Sequence, residues 1–174
     1  IHAYEEAIRL NPNNLRARIS LPAFLVMAYQ PNSSCQGGDI EQIDKAKRLL
    51  EEAAPLVDQA KFIRGDTLLT YLVNRGHVLF FLGMCGDQDR LEEYWQAART
   101  FYLQAIARSE EAQDERADIL DFSAAEAQAQ VGLIDISVFY YRSYGVKLFD
   151  EDSTQLLKEA TDHYDRSLTL LLSH

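Results

Sequence analysis

A small residue, a large one four positions on and a second small one three beyond that recur along the chain. The triplets are Ala46-Leu50-Ala53, Ala98-Tyr102-Ala105 and Ala160-Tyr164-Ser167. Positions i, i+4 and i+7 lie on one face of an α-helix. Small side chains on that face let a neighbouring helix approach closely, and the large one fills the gap between the two. The spacing predicts an all-helical protein whose helices pack in close pairs.

Composition agrees. With 47% hydrophobic and 25% charged residues the chain has an ordinary globular balance, and its 174 residues suffice for a well-buried core. Only 8 Gly and 4 Pro are present, few for a β fold with a turn every 8–12 residues. Ala, Leu, Glu, Gln and Arg, all strong helix formers, fill the long stretches.

Helical periodicity and its breaks predict seven segments: Ala3–Leu10, Leu15–Tyr29, Ile40–Leu56, Gln59–Gly83, Gln88–Glu111, Asp114–Tyr144 and Ser153–Leu172. The first stops at Asn11-Pro12-Asn13-Asn14. Pro22 implies that the second either kinks or starts late, near Ser20. Asp39 is the expected cap of the third, and Gly83 and Gly86 end the fourth. No linker or change of composition divides residues 1–174, so they read as a single domain. Ile1 falls inside a motif, so the chain reads as a piece of something longer.

The net charge of −10 is uneven. Residues 1–75 hold nine basic and nine acidic side chains, and residues 76–174 hold eight and eighteen. Such a field repels nucleic acid and anionic membrane surfaces and favours partners with basic segments. The longest apolar run, Val78–Met84, falls far short of the roughly 20 residues that span a bilayer, so membrane insertion is not expected. Cys35 and Cys85, two in the whole chain, make no disulfide framework. Free thiols in a reducing, cytoplasmic setting are the default, with a bridge between the two turns as the alternative.

Two segments carry a resemblance. Ala7-Ile8-Arg9-Leu10-Asn11-Pro12-Asn13-Asn14, preceded by Tyr4, resembles the ending of a tetratricopeptide repeat. Asn74-Arg75-Gly76-His77, followed by Leu79-Phe80-Phe81-Leu82-Gly83, is similar to that family's first-helix segment. Departures accompany it. The anchors Tyr4, Leu50, Tyr102 and Tyr164 are 46, 52 and 62 residues apart, against a family repeat of about 34. The usual early Trp is missing, and Trp95 stands in the following helix instead. The resemblance implies antiparallel helix hairpins stacked as a right-handed superhelix of about seven helices. It also implies a concave face that takes a peptide.

Asn74 occupies the place of the family's peptide-gripping Asn, and His77 and Phe81 share its helix face. By the 62-residue offset from Gly83 to Gly145 the matching positions are Ile136, Phe139 and Ser143, with Arg142 beside them, and Arg16 completes a candidate groove. Too few Lys and Arg converge there to clamp a C-terminal carboxylate, so a hydrophobic or amphipathic peptide is the better match.

No catalytic constellation stands out: the phosphate-binding, dinucleotide, nucleophile-elbow and Cys-x2-Cys motifs are all missing. No cofactor and no metal site are expected. Glu159 and His163, four apart, read as solvated or salt-bridged side chains. The acidic stretch from Glu110 to Asp121 reads as charges favoured at a helix N-terminus, with a landing site for a basic segment as the alternative. Of Phe139, Tyr140, Tyr141 and Tyr144, successive on one helix, one or two should point into a groove or at a further repeat while the others fill the core. The expected function is a protein-interaction scaffold rather than an enzyme. Self-association through the terminal helices is the alternative.

Overall fold

A computed structural model of the chain describes residues 1–28, 37–59, 65–86, 88–111, 127–132, 134–135 and 151–172. They are helical almost throughout and include no strand. In chain order they form α1 (His2–Leu10), α2 (Leu15–Ala28), α3 (Gly37–Gln59), α4 (Gly65–Cys85), a 3-10 turn (Gln88–Arg90), α5 (Leu91–Glu111), helical residues 127–132 and 134–135, taken together as α6, and α7 (Glu151–Leu172). The chain divides into two compact units, Ile1–Phe101 and Tyr102–His174.

In the first unit, α1 ends where the Asn11 amide donates to the Ala7 carbonyl at 3.0 Å and Asn11 turns extended. The following Pro12 disfavours helical backbone at Asn11. The next helix begins at once, because Asn14 Oδ1 accepts from the Ala17 amide at 3.1 Å, an N-cap bond. Capping at Asn14 overturns the late start at Ser20, and α2 includes Pro22 in its interior.

That proline presses on the carbonyl of Arg18 and removes its amide donor. The adjacent Ile19 carbonyl accepts the Asn74 side-chain amide at 2.9 Å, a bond from α4 into the disturbed turn of α2. The third helix also departs from expectation. It starts at Gly37, so Asp39 lies within it rather than capping it, and it continues through Pro55 to Gln59.

The core of this unit is α2, α3 and α4 packed on one another, with α1 against α2. Ala46, Leu50 and Ala53, the first triplet, are fully buried, as are Ile43 on α3 and Leu21 and Leu25 on α2. Among the described helices, α4 alone is long and apolar enough to cross a bilayer, over Thr67–Cys85, yet 72% of that stretch is buried within the protein. A core helix passes the same length-and-composition test.

The join between α4 and α5 rests on a missing side chain. A Cβ on Gly83 would lie 2.6 Å from both Cδ1 and Nε1 of Trp95 and 3.3 Å from the Leu91 carbonyl oxygen. Only glycine admits the indole at that distance. The ring stacks on Phe80 with centroids 6.0 Å apart, and its Nε1 donates to the Phe80 carbonyl at 3.3 Å.

In the second unit, Tyr102 and Ala105 are fully buried on α5, while Ala160 and Ser167 are buried on α7. Here the glycine contact recurs. A Cβ on Gly132 would meet Tyr164 Cε2 at 2.9 Å and the Ala160 carbonyl oxygen at 3.1 Å. In each unit, then, a glycine sits against an aromatic ring and the carbonyl one helical turn before it. Gly145, matched to Gly83 on sequence spacing, lies outside the described residues.

Candidate partner-binding surface

Asn74, His77 and Phe81 project from one side of α4 at helical spacing. The structure places them at graded depth. Asn74 is 5% exposed, its amide engaged by the Ile19 carbonyl. His77 is 9% exposed, and burial, which disfavours the charged imidazolium, lowers its pKa to about 4. Phe81 is half-buried and meets Phe80 edge-on, with centroids 5.7 Å apart at 76°. Arg16 stands exposed on α2, one turn before Ile19. Phe139 and Arg142 lie outside the described residues, as do Ile136, Ser143, Tyr140, Tyr141, Tyr144 and most of the acidic stretch after Glu110.

Other accessible groups lie on α1, α2 and α3. Tyr4 of α1 stacks on Phe24 of α2 with centroids 5.4 Å apart at 26°, and Phe24 remains 45% exposed. Beside them Lys45 of α3 donates to Glu5 at 2.7 Å. That hydrogen bond and the ammonium charge hold the Glu5 carboxyl below its usual range. Glu6 and Arg9 pair along α1 at 2.6 Å.

On the far side of α4, the Arg75 guanidinium lies 4.7 Å from the centre of the Phe101 ring and 6.0 Å from that of Tyr71. Burial raises the Tyr71 phenol pKa, and Arg75 opposes the rise. An arginine over two aromatic rings is a cation–π arrangement that fixes the long side chain without a carboxylate.

In the second unit, His163 Nδ1 lies 2.5 Å from Oε1 of the buried Gln128. The imidazole is thus half-buried against an amide rather than solvated, and Glu159 accepts from Gln155 at 3.0 Å. Nothing in the local sequence announced the Gln128–His163 contact, because its members are 35 residues apart. The Tyr4–Phe24 stack was similarly invisible. Each aromatic reads as an ordinary apolar position of its own helix, and only the pairing of α1 with α2 reveals an accessible double ring.

Among the described residues no three His, Cys, Asp or Glu side chains gather so as to hold a metal ion. Cys85 is 7% exposed and disulfide-bonded, which corrects the expectation of a free thiol there. Cys35, the other cysteine, lies outside the described residues.

No protein-family model, no curated protein and no solved structure matches the chain. The chemistry on the surface is therefore the guide to function. It consists of half-exposed aromatic rings flanked by ion-paired side chains on a helical framework.

Proposed function

We propose that the chain is a protein-interaction scaffold of tetratricopeptide-like helix hairpins that takes a peptide or protein partner on its exposed helix faces. The observation that carries this reading is the aromatic surface of the first two helices. Phe24 is 45% exposed on a stack with Tyr4, while α1 buries none of its residues. Accessible rings bordered by charged groups favour binding a partner's apolar side chains, since aromatics supply large contact area at small entropic cost.

The repeat reading draws support from the burial of the first two small–large–small triplets, and of the two small residues of the third, and from the glycine contact that recurs in both units. In the groove of the resemblance, Phe81 and Arg16 would be the contacting groups. Asn74 and His77 would shape it from beneath, and Phe139 and Arg142 would extend it. The excess of carboxylates after residue 75 favours a partner with basic segments.

The test is capture from native lysate by the parent chain and by two variants, Phe24→Ser and the pair Arg16→Ala with Phe81→Ala. Circular dichroism verifies that the variants remain folded. A protein held by the parent and lost by a folded variant supports the reading. Equal capture by all three overturns it for these faces.

Self-association is the second reading. It is favoured by Leu168 and Leu172, which lie one turn apart on α7 at 55% and 83% exposure. Sedimentation equilibrium of the parent and of Leu168→Lys decides it. A concentration-dependent mass that the substitution abolishes supports the second reading, and a constant monomer mass removes it.

A further inference from the structure

We draw no further inference here: the strongest candidate, the exposed aromatic surface that Tyr4 and Phe24 form along α1 and α2, carries nothing beyond the reading above because nothing in the structure shows what covers it.

Discussion

Acidification should weaken this protein through His77, and the size of the effect follows from where the imidazole sits. Burial holds its folded-state pKa at about 4, against 6.5 for an unperturbed imidazole. As pH falls, the unfolded chain takes up the proton first. The folded state's advantage is therefore whole above about pH 6.5 and is lost as pH falls from there towards 4. At about 1.4 kcal/mol for each pKa unit, the whole window is worth about 3 kcal/mol. Single-site linkage assigns about 2 kcal/mol of it to the interval between pH 7 and pH 5.

The assay is urea unfolding followed by circular dichroism at both pH values, for the parent and for His77→Gln. The amide of Gln keeps hydrogen-bonding capacity but cannot ionise. Carboxylates titrate in both proteins and cancel when the two pH differences are compared. The parent should lose about 2 kcal/mol more than the variant between pH 7 and pH 5. Equal losses in the two proteins would refute the claim that the folded state seals His77 in its neutral form.

Three further outcomes are expected. Gly83→Ala should destabilise by about 1–3 kcal/mol through overpacking against the indole, reduced by up to about 1 kcal/mol of helix propensity. In a Trp95→Ala background the same change should become neutral or stabilising, which a double-mutant cycle reads directly. Tyr102→Ala empties a fully buried site and should cost about 3–5 kcal/mol in denaturant unfolding; a loss below about 1 kcal/mol would contradict its place in the core. Cys85 should resist maleimide in denaturant until a reductant is added, as peptide mass mapping would show, because its sulfur is already bonded.

Much of the helical order was legible because its signals are local. The boundaries of α5 and α7 lie within a few residues of expectation, and the Asn11–Asn14 turn is where proline and three asparagines put it. The triplets were legible for a different reason. A spacing that repeats on one helix face reports contact with another helix, and the residues at 46, 50, 53, 98, 102 and 105 are all fully buried.

Less legible were features that depend on a distant partner. Pro22 read as a kink or a late start of its helix, yet α2 begins at Leu15 and includes that proline, with the Asn74 amide feeding the carbonyl next to the disturbed one. The Gly132 contact was missed, although a lone glycine inside a helical pattern is itself a sign of close approach. At Asn74 a resemblance pointed to a ligand-gripping amide, while the fold engages that amide on its own backbone. Sequence spacing alone does not distinguish these uses of one side chain.

The shallow seating of α1 has a consequence for the order in which the protein comes apart. With no buried residue, this helix is retained by a ring stack and an ion pair near the surface, whereas α2, α3 and α4 share a sealed interior. Its amides should therefore exchange with solvent through a private opening far more frequent than global unfolding. Added salt should hasten that exchange by screening Lys45 from Glu5. One ring of the accessible Tyr4–Phe24 pair is thus carried by a readily detached segment, so occupancy of that surface would be reported first by slowed exchange in residues 2–10.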